Sequence, residues 1–364
     1  MESESYDVVV VGGGGAGLSA ALVLGRARRR VAVIDAGAPR NAPAAHMQGF
    51  LSRDGMPPAE LLEAGRAEVR TYGVELVDDE VVAIADGFAL QLAGGRSLAA
   101  RRLLLATGAS DVLPEIAGAR ERWGRDFLHC PYCHGWEVRD QPIGVLGTGP
   151  GSVNHAQLLR QWSSDVVFLS HNDVVTDSER VALDARGITV IEGEVTGFSV
   201  VDDRLAAVEL ADGRSIPRTA VFMRPTLRAD IDGLVDALHL EVDESGFVRA
   251  DATGLTTAAG VWVAGNAADP RAQVITAAGE GSAAAIAINA DLVAEDVGCA
   301  RTDGGVGWSY ADPHAVLLDD EENLRTHRRG GSIERRPQSA RVTLENTPTA
   351  TPPGVQPAVR KGSL

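Results

Sequence analysis

Tyr6-Asp7-Val8-Val9-Val10-Val11-Gly12-Gly13-Gly14-Gly15-Ala16-Gly17-Leu18-Ser19 decides the fold. Residues 7–11 are a short apolar run ending in glycines, the pattern of a buried parallel strand. Residues 16–28 have the Ala and Leu content of a helix, and Val31-Ala32-Val33-Ile34 is a second strand ending at Asp35. Strand, helix and strand in that order imply a βαβ unit. Within the loop, Gly12, Gly14 and Gly17 fit G-x-G-x-x-G. The first glycine permits a tight turn, the second lets backbone approach a pyrophosphate, and the third allows close helix–strand packing. Ala16 opens the helix, whose N–H groups and partial positive charge suit that anion. Asp35 lies 35 − 12 = 23 residues after the first glycine, where its carboxylate can accept hydrogen bonds from an adenosine ribose. A bound dinucleotide is expected, with a purely structural glycine turn as the alternative.

Outward from this unit, residues 59–72 look helical and 74–105 read as short strands with a turn at Ala93-Gly94-Gly95. Leu103-Leu104-Leu105-Ala106-Thr107-Gly108 is a further buried strand running into a turn. A second dinucleotide-type opening follows: Ile143-Gly144-Val145-Leu146, then Gly147-Thr148-Gly149-Pro150-Gly151-Ser152, a helix over 153–162 and a strand over 166–169. Late in the chain, residues 260–266 form a strand and turn, and residues 275–295 a long Ala-rich helix. After about residue 312 no period is sustained and breakers accumulate, the composition of a disordered tail.

Composition narrows the function. At 364 residues the chain is long enough for two or three domains. Its 45% hydrophobic and 23% charged content is that of a globular protein. With 34 Lys+Arg against 50 Asp+Glu the net charge is −16, which argues against a nucleic-acid partner. No apolar run approaches the roughly 18 residues of a membrane span, so no membrane partner is expected. Met1-Glu2-Ser3-Glu4 lacks the basic start of a secretory signal, and a cytoplasmic location is expected. Lys361 is the only lysine, so Schiff-base chemistry and a Walker-type phosphate loop have no residue to use in the folded body.

His129-Cys130-Pro131-Tyr132-Cys133-His134-Gly135 holds the most chemistry. Two thiols at this spacing can close a small disulfide loop and move two electrons by exchange. Two other readings stay open here, a zinc half-site and a pair of packed cysteines. No second C-x-x-C or His-x-x-x-His pair supplies the remaining ligands of a closed zinc site, so no metal is expected. His134 follows the second cysteine directly, where a proton acceptor near neutral pH is useful. His129 fits a packed or exposed histidine as readily as a participant. Cys299, outside the motif, reads as a packed or surface thiol.

These motifs, in this order, resemble the low-molecular-weight thioredoxin reductases: the first glycine loop, Ala106-Thr107-Gly108-Ala109, Trp123-Gly124-Arg125, the C-x-x-C and Gly265-Asn266. The likeness covers about residues 5–298. It implies an α/β fold of two Rossmann-like nucleotide-binding domains. An FAD domain at 1–117 and 245–312 would be split by an NAD(P)-type insert at 118–244 carrying the C-x-x-C, leaving a disordered tail at 313–364. Carried over by position, Gly12, Gly14, Gly15, Ala16, Gly17 and Asp35 would hold the ADP part of FAD. Thr107, Gly108 and Gly265 would line the cofactor, with Asn266, Gln273 and Val274 along the ribitol and flavin. Cys133 would sit next to the flavin and Cys130 would face the exchange partner. A homodimer is the family's usual assembly.

Three departures matter. His134 stands where the reductases carry an acid/base Asp, and Asn266 where they have Gly-Asp. At the second nucleotide site their His-Arg-Arg cluster is replaced by Ser170-His171-Asn172-Asp173. An acid there would repel a 2′-phosphate, which argues against NADP(H). Cys-Pro-Tyr-Cys-His-Gly-Trp-Glu instead resembles the FAD-dependent dithiol oxidases of gliotoxin- and holomycin-type (dithiolopyrrolone) pathways. That likeness implies oxidation of a small-molecule dithiol to a disulfide through Cys130, Cys133 and His134, with oxygen as acceptor and hydrogen peroxide as product. The alternatives are an NAD(P)H-dependent reductase of a thioredoxin-like protein, a ferredoxin-linked disulfide reductase and a non-catalytic flavin redox sensor. His46 and Met47, in the 41–58 loop, are cleft candidates without an assigned mechanism.

Overall fold

A computed structural model describes residues 4–302 apart from 232. The expected tail at 313–364 lies outside the described residues. The opening strand runs Glu4–Val11, the first helix Gly15–Arg26 and the second strand Val31–Asp35. They belong to a seven-stranded sheet with Glu75–Asp78, Val31–Asp35, Glu4–Val11 and Ser97–Leu105 as parallel neighbours. One end of Ser97–Leu105 pairs antiparallel with Ala89–Leu92, and its other end pairs parallel with Val261–Val263. The 74–105 region is thus a set of short strands, as its turn signals predict.

Both faces of this sheet are covered, which is why its central strands show no polar alternation. Val9, Val11, Leu103 and Leu105 pack on one face with Leu90, Phe247 and Val248. On the other, Val8, Val10, Val33 and Leu104 meet Leu18, Ala21 and Leu24 of the first helix and Ala285, Ile288 and Leu292 of the last. Ala229, Ile231, Leu234, Leu238 and Leu240 also join the first core. The chain is therefore back on the first sheet earlier than the return at 245 that the resemblance implies.

A second, fully parallel sheet has the order Thr189–Ile191, Val166–Leu169, Ile143–Leu146, Ala220–Phe222, Phe127–Leu128. A three-stranded antiparallel sheet (Val195–Val201, Arg204–Leu210, Ser215–Pro217) packs with it. Between the two main sheets, Ala109–Val112 and Thr226–Ala229 pair as an antiparallel ribbon. This is the mixed α/β fold expected, with one Rossmann-like sheet inserted between parts of another. The helix expected over 153–162 is Ser152–Leu159, and the last helix extends to Val274–Thr302. No helix among the described residues is long and apolar enough to cross a membrane.

The first and last helices touch through backbone. A Cβ added at Gly281 would lie 2.0 Å from the Ala16 carbonyl oxygen, whereas one at Gly279 would meet nothing within 4 Å. Gly281→Ala must push the two helices apart, an overpacking cost of about 1–3 kcal/mol. Gly279→Ala is expected to be neutral or to gain up to about 1 kcal/mol of helix propensity. Thermal unfolding of the pair checks this; equal melting temperatures would contradict the close approach.

Candidate active site

Each glycine of the first loop answers to a different contact. Gly12 has φ +106°, and a Cβ there would lie 2.2 Å from the Ala106 carbonyl oxygen. At Gly17 it would lie 1.9 Å from the Gly12 carbonyl oxygen, so the helix begins directly on the strand turn. Gly14, the residue preceding the helix, has open space in front of it. That space is one end of a cavity of about 1210 Å³, larger than the roughly 300–1,000 Å³ of drug-sized sites. All the expected site residues line it except Gly17, which lies beneath the loop.

The cavity wall fits a dinucleotide. Asp35 is held by the Arg66 guanidinium at 2.6 Å and accepts from the Gly37 N–H at 3.3 Å. Its carboxylate also sits where a side chain at Gly13 would stand. The Thr107 hydroxyl is buried with no hydrogen-bond partner, a free polar group where a ligand is expected. Gly265, at φ +75°, donates its N–H to Glu280 at 2.8 Å. Burial pushes the Glu280 carboxyl up, opposed by that N–H. The Asn266 amide donates to the Asp269 and Ala272 carbonyls at 2.8 and 3.0 Å. That amide N–H₂ therefore holds the turn leading to Gln273 and Val274. Val274 starts the last helix and approaches Gly15, so two helix N-termini, each partially positive, border the same space.

The dithiol enters from the other sheet. Phe127–Leu128 ends at His129, and Pro131–His134 is a single helical turn with Pro at its start and Cys130 preceding it. Pro has no N–H to lose at that position and its φ is preset. The His134 N–H bonds back to the Cys130 carbonyl at 3.1 Å. Cys130 and Cys133 form a disulfide with Cα atoms 5.2 Å apart. Gly135 must be small, since a Cβ would strike the Pro131 carbonyl and the Trp162 ring. His134 lines the cavity with both cysteines; its burial lowers the imidazole pKa and nearby Glu137 opposes the shift. At neutral pH it is an acceptor. Tyr132, between the cysteines, is exposed and stands edge-on to Trp162.

Several groups were not legible in the sequence: Arg40, Arg66, Asp111, Arg224 and Glu280. Arg40 makes a two-point contact with Asp111, and its Nη2 lies 3.3 Å from His129 Nδ1. Met47 is buried on the cavity wall, and His46 Nδ1 lies 3.0 Å from the Gly55 carbonyl oxygen. Among the described residues no group of three or more His, Cys, Asp or Glu is placed for a metal.

The second glycine loop offers less. The Ser152 hydroxyl, itself buried, accepts the Thr148 N–H at 3.1 Å, and Arg224 covers Gly151. Asp173 abuts Gly147, and His171 Nδ1 is engaged by the Val195 N–H at 3.0 Å. The space beside this loop is about 140 Å³ and is bordered by Glu179.

The sequence profile of the pyridine nucleotide-disulphide oxidoreductases matches residues 6–281. The chain is 30% identical over 315 residues to thioredoxin reductase sirT of Leptosphaeria maculans, covering 80% of this chain and 96% of that protein. With thioredoxin reductase tcpT of Claviceps purpurea it shares 32% over 262 residues, 68% of this chain and 81% of the relative. The crystal structure of HlmI superposes with a TM-score of 0.80 at 55% identity, over 82% of this chain and 96% of HlmI. An oxidoreductase from Agrobacterium tumefaciens gives 0.75 at 37%, over 79% and 99%.

Burial pushes the His129 and His155 imidazoles down from 6.5 to about 4, Arg40 adding to the shift at His129 and His129 to that at His155. Between those pH values the unfolded chain binds protons that the folded chain refuses, so stability falls as pH drops and levels off below about 4. Melting curves between pH 6.5 and 4 should show this slope, flattened in His155→Gln; an unchanged slope would contradict the buried neutral imidazole.

Proposed function

Because the chain belongs to the pyridine nucleotide-disulphide oxidoreductase family, we propose that this FAD-dependent thiol-disulfide oxidoreductase oxidises a small-molecule dithiol to a disulfide, with oxygen as final acceptor. The observation that carries the proposal is one shared cavity, with a glycine loop built for a dinucleotide at one end and the bonded Cys130–Cys133 pair in its wall. In this reading Gly12, Gly14, Gly15 and Ala16 hold the pyrophosphate at the helix N-terminus, and Gly17 seats that helix. Asp35, oriented by Arg66, takes the adenosine ribose. Thr107, Gly108, Gly265, Asn266, Gln273 and Val274 line the remainder. When bound, FAD would supply a two-electron acceptor for the reduced cysteines and a route for that pair to oxygen, with hydrogen peroxide as the product.

The chain's own residues carry the thiol chemistry. A substrate thiol gives its proton to His134, which burial keeps neutral. The resulting thiolate attacks the Cys130 sulfur. The Cys130–Cys133 bond breaks, a substrate–Cys130 bond forms, and Cys133 leaves as a thiolate. The second substrate thiol attacks the first substrate sulfur, closes the product disulfide and releases Cys130. Two electrons and two protons have moved to the protein, and in this reading His134 shuttles the protons. Reoxidation of the pair restores the starting disulfide.

Oxygen is favoured over a nicotinamide by the second glycine loop. A 2′-phosphate needs cationic partners, and Asp173 stands beside Gly147 instead. The Thr148 N–H is spent on Ser152, and Arg224 fills the space over Gly151. The reductase names of relatives such as sirT and tcpT make the NAD(P)H-dependent direction the second reading, with a thioredoxin-like protein as partner.

Oxygen uptake with a small dithiol should be rapid in the wild type and fall by about 10³-fold or more in Cys133→Ser, the order expected for loss of an essential nucleophile. Anaerobic NADPH should leave the yellow colour in place. Equal uptake by the two proteins would reject the dithiol relay, and rapid bleaching by NADPH would replace the oxidase with the reductase.

A further inference from the structure

The dithiol rides on one sheet and the cofactor loop on another, so something must hold the two together to within a bond length. The loop at 39–48, which follows the second strand of the first sheet and has no regular structure, reaches the dithiol segment at three points. Pro43 and Ala44 press on Gly124 so closely that a Cβ there would lie 2.9 Å from the proline ring. Gln48 donates to Glu137 at 3.2 Å. Arg40 lies 3.3 Å from Nδ1 of His129, the residue before the reactive pair.

Arg40 is the best anchored of the three. Its Nε and Nη2 donate to the two Asp111 oxygens at 3.0 and 2.7 Å, and the Asp111 side chain is only 8% exposed. Its Nη1 donates to Asn266 Oδ1 at 3.4 Å. The orientation of that amide is fixed by its two bonds to the 269–272 turn. A planar guanidinium paired at two points with a buried carboxylate cannot swing without leaving the carboxylate uncompensated. One side chain therefore touches the ribbon between the sheets, the turn after the last strand and the residue beside Cys130. Because an arginine can only donate, Nδ1 of His129 is the acceptor and the proton sits on Nε2.

From this convergence, and resting on the dithiol relay proposed above, we infer that Arg40 is a positioning residue. It pins the Cys130–Cys133 turn against the cofactor cavity in a single orientation, with Asp111 as its anchor and His129 as its grip. It lines the cavity, and its hydrogen bonds go to Asp111, Asn266 and His129, not to a sulfur. Its effect is on how closely the reduced pair meets its electron acceptor and how well that pair is shielded from solvent.

Two variants test the pin. Arg40→Met removes every donor at similar length; Arg40→Lys keeps a cation for Asp111 but lacks the fork that also reaches His129 and Asn266. The Lys variant decides the matter if the Met variant does not accumulate as folded protein. Flavin per chain is measured first in both, because Arg40 lines the cofactor cavity, and rates are compared per bound flavin. Anaerobic flavin bleaching by dithiothreitol should slow by about tenfold or more, as small misplacements of reacting groups do. Alkylation of the reduced Cys133 by iodoacetamide, read by mass spectrometry, should become several-fold faster (on the order of the local opening that exposes it). His129→Gln, whose amide oxygen can still accept from Arg40, should retain more of the bleaching rate than His129→Leu. Wild-type bleaching and alkylation rates in both Arg40 variants would overturn the inference. A wild-type protein that dithiothreitol cannot bleach would instead sink the dithiol relay, and the alkylation comparison, which needs no turnover, would still judge the pin.

Discussion

Electron exchange between a disulfide and a bound cofactor requires contact, yet here the two are carried by different sheets. Everything near the cavity serves that meeting. The paired strands 109–112 and 226–229 bring the chain across and back. Cys130 and the one-turn helix 131–134 that follows it bring both cysteines to the wall of the space that the glycine loop opens. The irregular loop at 39–48 then receives the dithiol segment through Pro43, Arg40 and Gln48. A contact of this kind tolerates little slack, because exchange depends on the approach of one sulfur along a narrow line.

The cofactor end depends on backbone meeting backbone. Gly12 passes under Ala106, Gly17 rests on Gly12, and Gly281 rests on Ala16. A Cβ at Gly12 would displace the turn after Leu105, and one at Gly17 or Gly281 would displace a helix, so glycine is demanded by packing as well as by the ligand. Far from the cavity, Arg29 and Arg101 clamp the last helix to the sheet through Asp7, Asn289, Glu295 and Asp296. That clamp fixes the helix whose other end, Val274, borders the cofactor space. Sheet, first helix and last helix are thus one rigid seat.

Much of this was legible in the sequence because it rests on local pattern. Val8 to Val11 announce a strand buried on both faces, and the glycine spacing with Asp35 announces the loop. The cysteine pair and His134 were legible from spacing and chemistry. Arg40 was not, because it sits among Pro39, Asn41 and Pro43 with no period to place it, and its partners are distant in the chain. Arg66 was hidden for a related reason: which face of its helix meets Asp35 depends on packing. The helix Asp177–Asp184 carries a signal outside the glycine and cysteine motifs, the capping box of Thr176 and Glu179. The early return to the first core at Ala229 rests on the strand Thr226–Ala229 and the helix Leu234–Leu238, both too short for periodicity to report.

The most direct measurement of the central claim is an anaerobic dithionite titration of the purified yellow protein, following flavin absorbance and free thiols together. If flavin and the Cys130–Cys133 disulfide share one cavity, they equilibrate as two two-electron couples. Full bleaching then takes two equivalents per chain and produces two new thiols. Bleaching complete after one equivalent, with the disulfide still intact, would mean that no electrons cross between them and would contradict the account.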